Sequence, residues 1–324
     1  MSFLRFASII YQQNEGILLP RYVATKAERI SAVSRSPAIA PIQRLARFVL
    51  WVIFPLLVGI VLAAVLVPVP QIGVIRFEDV IWSESAAALS VLLDRARDDP
   101  NIRGVVLEIN SPGGEVTATE EIYYRLLDLR QTKPLVITID SMAASGGYYI
   151  AAAGDHIFAK PASTVGNIGV VSFLPSTDQQ RFADEDYVST GPFKFSGGSR
   201  GDYMRQIELA KLGFLEAVFA QREAKLQVSR EALSSGEVFL GVQALQLGLI
   251  DELGANSEAV QRTAKLAHLG HYEVVDVAAQ VYGDESRSIT EELYRDIEVL
   301  FVHGNPAWRQ ELYYLYIEPE TRRP

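Results

Sequence analysis

From Phe48 to Val67 the chain reads FVLWVIFPLLVGIVLAAVLV, 20 residues without a charged side chain. At 1.5 Å per residue a helix of that length spans about 30 Å, the thickness of a bilayer's hydrocarbon core. A buried helix of a water-soluble domain keeps a polar stripe along one face, and this run has none. A cleaved signal would have a shorter apolar region and a small-residue cleavage site, which Pro68-Val69-Pro70 is not. The run therefore reads as an uncleaved anchor, and a membrane helix tolerates Pro55 within it, with a kink. It also divides the charge. Residues 1–47 carry Arg5, Arg21, Lys26, Arg29, Arg35, Arg44 and Arg47 against Glu15 and Glu28, a balance of +5 that leaves −14 of the total −9 for the remainder. By the positive-inside rule the basic segment is cytoplasmic and everything after residue 70 lies outside, in a periplasm or the exterior.

Beyond the anchor, an apolar content of 49% in 324 residues supplies a real core. The acidic balance is the wrong sign for a nucleic-acid partner. The absence of cysteine excludes thiol catalysis, disulfides and cysteine-based metal sites. Segments 73–77, 104–109, 135–139 and 157–160 read as strands, the middle two apolar enough to be buried on both faces. Helical periods cover 84–98 and 116–131, then about 203–226 and 241–247, the last stopped at Gly248. Strands alternating with such helices indicate crossover units on a largely parallel sheet. Two further helices are expected over about 289–300 and 306–316, in a tail rich in Trp308, Tyr313, Tyr314 and Tyr316.

Two glycine-bearing turns follow two of the strands. Asn110-Ser111-Pro112-Gly113-Gly114 lets the backbone turn sharply with its N–H groups available, although an ordinary strand-to-helix turn reads the same way. Asp140-Ser141-Met142-Ala143-Ala144-Ser145-Gly146-Gly147-Tyr148 surrounds Ser145 with small residues, so its hydroxyl is either an approachable nucleophile or a helix cap. A nucleophilic serine needs a base. His156, His268, His271 and His303 form no metal cluster, and His156 at a strand start reads as structural. Lys194 lies in the otherwise uncharged stretch Ser189 to Gly198, flanked by Phe193 and Phe195. It is either a solvated loop lysine or a base, and only desolvation qualifies it as the latter. Lowering an ammonium pKa from about 10.4 to about 7 costs about 4.6 kcal/mol, which takes substantial burial. Arg200-Gly201-Asp202 and the pairs Glu120-Glu121 and Asp251-Glu252 need no function beyond solvated surfaces.

Four blocks, INSPGGEVTATEEIYYRL, DSMAASGGYYIAAAGDHIFAKPASTVGNIGVV, STGPFKFSGG and GEVFLGVQALQLGLIDELG, resemble in order and spacing the signal peptide peptidase A family, serine proteases of the ClpP/crotonase superfamily. The resemblance covers about residues 72–260. It implies an α/β fold, a ClpP/crotonase-like spiral of βαβ units, preceded here by one N-terminal transmembrane helix. It implies Ser145 as nucleophile, Lys194 as general base, and the backbone N–H groups of Gly114 and Gly146 as an oxyanion hole. Asn167 stands where the family usually has a serine that orients the lysine, and its side-chain carbonyl can accept the same bond. Phe195 replaces a common Asp. No metal, nucleotide or other cofactor is implied.

The expected organisation is a basic segment 1–47, an anchor 48–67, a protease domain 70–265 and a helical, aromatic-rich extension 266–324. The expected function is a membrane-anchored Ser-Lys endopeptidase that cleaves signal peptides or other membrane-derived hydrophobic peptides. Rivals are a membrane-tethered assembly protein with the protease fold and little activity, and a crotonase-type acyl-CoA enzyme. Single-unit members of the family imply a ring-shaped homo-oligomer with active sites at protomer interfaces.

Overall fold

A computed structural model describes residues 39–172, 190, 191, 193, 194, 197–283 and 312–315. The expected helix over 289–300, most of the basic segment, Phe195, Trp308 and Tyr316 lie outside them. The chain divides into two compact units, Met1–Pro68 and Val69–Pro324.

In the first unit, helices α1 (Ile39–Phe48) and α2 (Phe54–Leu66) are joined by a π-helical turn, Val49–Ile53. Pro55 explains that turn. It lacks an N–H, and its ring crowds the carbonyl four residues back, so the ladder widens there and Phe54 N–H reaches the Val49 carbonyl five residues away. The run Arg44–Ala63 is a helix long and apolar enough to cross a membrane. Its large side chains are exposed, among them Leu50, Trp51 and Phe54.

The second unit is built on one sheet. In chain order its elements are β1 (Gln71–Phe77), α3 (Ser83–Asp98), β2 (Ile102–Ser111), β3 (Gly113–Glu115), α4 (Val116–Thr132), β4 (Leu135–Ala144), α5 (Gly146–Ala151), β5 (His156–Ala159), β6 (Thr164–Gly166) and β7 (Val171–Ser172). There follow α6 (Arg200–Arg222), α7 (Arg230–Leu233), β8 (Val238–Leu240), α8 (Gly241–Gln246), β9 (Glu252–Leu253), α9 (Asn256–Leu266), β10 (Glu273–Asp276), α10 (Val277–Tyr282) and β11 (Leu312–Leu315). The main path runs β10-β1-β2-β4-β5-β9, with every pair parallel. β6 pairs parallel with the last residues of β4 and antiparallel with β8.

The period-2 alternation of side chains sends each central strand's residues into two layers. Ile75, Leu107, Ile109, Ile137 and Ile139 enter the core shared with α3, α4, α5 and α6. Ile72, Val74, Val106, Val136 and Phe158 face the opposite side, where Ala259 and Ala264 of α9 close over them. Burial on both faces accounts for the unbroken apolar runs in β2 and β4. Each fully buried aliphatic side chain contributes about 1.5–3 kcal/mol. At that end of the sheet Gly104 is required, because a Cβ there would sit 2.6 Å from Thr263 Cγ2.

Two segments differ from the sequence expectation. The sheet continues past residue 265, since β10 pairs with β1 from Gln71↔Glu273 to Val74↔Asp276. Residues 312–315, expected inside a helix, form strand β11. Its Leu-Tyr-Tyr-Leu sequence suits a pleated surface as well as a helix, and the partners that decide between them lie far away in the chain.

Candidate active site

Ser145 follows β4 at the carboxyl end of the parallel sheet, where α/β folds open towards ligands. Its backbone sits at φ 52°, ψ −120°, a conformation that costs a non-glycine residue about 1–3 kcal/mol. Three contacts hold it there. The Ser145 N–H donates to the Gly166 carbonyl at 2.8 Å, and its own carbonyl accepts from the N–H groups of Tyr148 and Tyr149 at 2.9 and 3.0 Å. Gly147 approaches Ser111 so closely that a Cβ would lie 2.5 Å from the Ser111 carbonyl oxygen. Ser145 is 1% exposed. It occupies the N-cap position of α5, yet its side chain makes no capping hydrogen bond. The capping explanation for this serine is thereby removed.

The Ser111–Gly114 turn lies beside it, because β2 and β4 stay paired to Ser111↔Ala143 after a register shift at Asn110. Gly113 takes φ 100°, which a side chain would oppose. Its N–H donates to Ser111 Oγ at 3.2 Å. Gly114 is pressed against the loop before α3, where a Cβ would fall 2.0 Å from the Ile81 carbonyl oxygen. Gly146 is the first residue of α5, and its N–H has no partner within the helix.

Asn167 closes the other side. It holds φ 56°, which Asn tolerates better than most residues. Its N–H donates to the Glu237 carbonyl at 2.8 Å and its Nδ2 to the Gly236 carbonyl at 2.7 Å. The side-chain amide is thus oriented by its nitrogen, and among the described residues Oδ1 has no partner.

Lys194 is different. It lies in a turn in which its N–H meets the Gly191 carbonyl at 3.4 Å, and it is exposed. Among the described residues its ammonium has no partner and no hydrogen bond joins it to Ser145. One copy of the chain therefore gathers Ser145, Gly146, Gly114 and Asn167, and does not give Lys194 the burial a base lysine needs. His156 is no substitute. It pairs with Val136 at the start of β4, and at about 3.3 Å per residue the rise to Ser145 is about 30 Å. Burial lowers its pKa, outweighing Glu252 at 3.4 Å.

Sequence reasoning missed the support beneath Ser145. Tyr148 Oη donates to the Leu249 carbonyl at 2.8 Å. The same loop is held by Arg222, whose Nη2 donates to the Gly248 carbonyl at 2.9 Å and whose Nη1 pairs with Asp251 at 2.7 Å. Asp251 also meets Lys225 at 2.6 Å and accepts the Ile157 N–H at 2.8 Å. Burial works to raise the Asp251 pKa, but Arg222, Lys225 and that N–H outweigh it and hold the carboxyl below the ordinary range. The sequence gives no local sign of this network, because Arg222 ends a helix 29 residues from its acid. Asp79, just before the Ile81 loop, has its carboxyl pushed up to about 6 by burial, against the opposing pull of the Val80 N–H. Among the described residues no group of His, Asp and Glu could hold a metal ion.

Residues 128–270 match the family model described as peptidase family S49, and residues 73–165 match that described as Clp protease. The fold is therefore ClpP-like, with a mixed α/β sheet. Among curated proteins, Protease 4 of Haemophilus influenzae is 31% identical over 63% of this chain and 35% of its own length. A putative protease of Methanocaldococcus jannaschii is 29% identical over 57% of this chain and 63% of its own. The chain thus spans between about a third and under two thirds of these relatives. A solved mutant of the 1510-N membrane-bound stomatin-specific protease overlaps 61% of this chain and 86% of its own, with a TM-score of 0.45 and 16% identity.

Proposed function

We propose that the chain is a peptidase of family S49, whose model residues 128–270 match, and that it acts as a membrane-anchored serine endopeptidase that hydrolyses signal peptides or other hydrophobic peptides derived from the membrane. The observation that carries this reading is Ser145 itself, a strained, small-residue-flanked serine whose hydroxyl is spared from capping. In the proposed mechanism a neutral lysine takes the hydroxyl proton as Ser145 Oγ bonds to the peptide carbonyl carbon. The carbonyl oxygen becomes an oxyanion facing the N–H groups of Gly114 and Gly146. The C–N bond then breaks, the amine leaves with the proton from lysine, and water hydrolyses the acyl ester by the same route.

Lys194 fills the role of base if it comes from a neighbouring copy, where packing desolvates it and lowers its affinity for the proton. Its exposure in one copy supports that arrangement. So do the exposed Met204, Leu209 and Leu212 on α6, the helix that follows the Lys194 turn. Asn167 Oδ1 then accepts from the lysine ammonium and orients it. The helix Arg44–Ala63 anchors the chain, with the basic end cytoplasmic by the positive-inside rule.

Subunit complementation tests the reading. Ser145→Ala and Lys194→Ala proteins are each inactive on a quenched peptide with an apolar cleavage site, and mixed subunits regain up to about a quarter of wild-type turnover by random pairing of intact halves. Full activity of Lys194→Ala alone removes the dyad. Folded wild-type protein without Ser145-dependent turnover supports the tethered assembly protein instead.

A further inference from the structure

The acidic pair Glu120-Glu121 divides in the folded chain. Glu121 is exposed and accepts a hydrogen bond from Arg125 Nε at 2.6 Å. Glu120 is half-buried, and among the described residues no cation, N–H or hydroxyl meets its carboxylate. Burial alone pushes its pKa up, with no charged group acting on it in either direction. A carboxylate drawn out of water without a partner is costly. The solvated surface that accounts for Glu121 does not account for Glu120.

Its place in the fold gives that carboxylate a task. α4 begins at Val116, just after Gly114, and α5 begins at Gly146, directly after Ser145. The two helices pack through Tyr123 and Tyr149, edge to face with ring centroids 5.0 Å apart. Tyr149 lies one turn into α5, its N–H donating to the Ser145 carbonyl at 3.0 Å, and its ring leans on Phe214 of α6 at 4.8 Å. Glu120 lies at the matching depth in α4. Burial first, then the Glu120 charge, push the Tyr149 phenol upward, and Tyr124 follows Glu120 on the same helix face. A single helical turn, about 5.4 Å, separates Ser145 from this tyrosine wall and the unpaired carboxylate beside it.

We propose that Glu120 is a specificity-determining residue, which pairs with the ammonium or guanidinium of a lysine or arginine at the substrate residue whose carbonyl Ser145 attacks. The proposal rests on the peptidase reading and narrows its substrate class to peptides that carry a basic residue within or beside an apolar stretch. Lysine and arginine combine an apolar stem with a charged head. The stem is long enough to run along the tyrosines for one helical turn, and the aromatic faces attract the cation as well. The head then reaches the carboxylate, in a site that the bound peptide itself shields from water. A hydrogen bond between two such charged groups is worth about 10- to 100-fold in kcat/KM. A leucine in the same place packs on the tyrosines and leaves Glu120 unpaired.

Two quenched peptides that differ only in the residue before the scissile bond, lysine in one and leucine in the other, test this with full-length wild-type and Glu120→Gln protein. Glutamine keeps the shape and removes a charge whose burial opposes folding, so the fold tolerates it. The ratio of kcat/KM, lysine over leucine, is expected to fall by at least about tenfold in Glu120→Gln. An unchanged ratio, or a lysine peptide that the wild type leaves intact while it cleaves the leucine one, overturns the proposal. Binding separates this outcome from the peptidase reading. In Ser145→Ala protein, where cleavage cannot interfere, fluorescence anisotropy of the labelled lysine peptide should show about tenfold weaker binding once Glu120→Gln is added, and equal affinity overturns the proposal. If the wild type turns over neither peptide while that difference in binding holds, the peptidase reading fails and the cation-binding carboxylate stands.

Discussion

The ion pair beneath Ser145 gives the sharpest test of how this site is held. Arg222 and Asp251 have side chains 1% and 9% exposed and meet at 2.7 Å. Arg222→Met keeps most of the volume and removes a guanidinium that also bonds the Gly248 carbonyl at 2.9 Å. Removing one partner leaves a buried carboxylate with only Lys225 and the Ile157 N–H, and breaking such a pair costs about 3–5 kcal/mol. For a unit of this size that is a fall of about 10 °C in Tm, at about 2–4 °C per kcal/mol. The sign of the pH dependence follows from the lowered Asp251 pKa. Its stabilisation is present above the unfolded carboxylate value and is lost as pH falls through the folded one. Thermal and urea unfolding of wild type and Arg222→Met in detergent should therefore differ most at neutral pH and converge in acid. A loss below about 1 kcal/mol at pH 7, or a gap that does not shrink on acidification, would refute the assignment of this pair as the clamp. Because Tyr148 reaches the same loop through the Leu249 carbonyl, the variant should also lose peptide turnover at temperatures where it remains folded.

Two further outcomes follow from the geometry. Gly114→Ala places a Cβ 2.0 Å from the Ile81 carbonyl oxygen, so the amide must move; Ser145-dependent turnover should fall by about 100-fold or more, with an unchanged circular dichroism spectrum. The Asp79 carboxyl, raised from 3.8 to about 6, binds its proton more tightly folded than unfolded, so it withdraws stability as pH rises from the unfolded value to the folded one. Asp79→Asn should then raise Tm at pH 7.5 and leave it unaltered at pH 3, where both states are protonated, and equal shifts at the two pH values would refute burial as the cause.

Much of this architecture is legible because its determinants are local. The runs GVVLEI and LVITI are apolar on both faces and fall within β2 and β4, and Gly248 takes the left-handed φ of 76° expected of a helix stop. Ser145 stands out in the sequence from the small residues around it, and the structure holds it at φ 52° and 1% exposed in one copy of the chain. The capping alternative could not be separated from the nucleophile in the sequence. Both use a serine before a helix, and only the missing hydrogen bond distinguishes them.

What the sequence hides is pairing at long range. Arg222 finds its acid across a loop, Asn167 is fixed by the carbonyls of Gly236 and Glu237, and β11 lies between strands separated from it by more than a hundred residues. Lys194 carries the same lesson one level further. Its Phe-flanked, charge-free surroundings left a solvated loop lysine and a desolvated base both open, and a single copy leaves it exposed. Apolar residues around a cation allow it to be desolvated without specifying which surface does so. An exposed lysine beside an exposed apolar helix face reconciles the two if the burial comes from a second copy, and then the sequence described the assembled site while the fold of one chain supplies half of it.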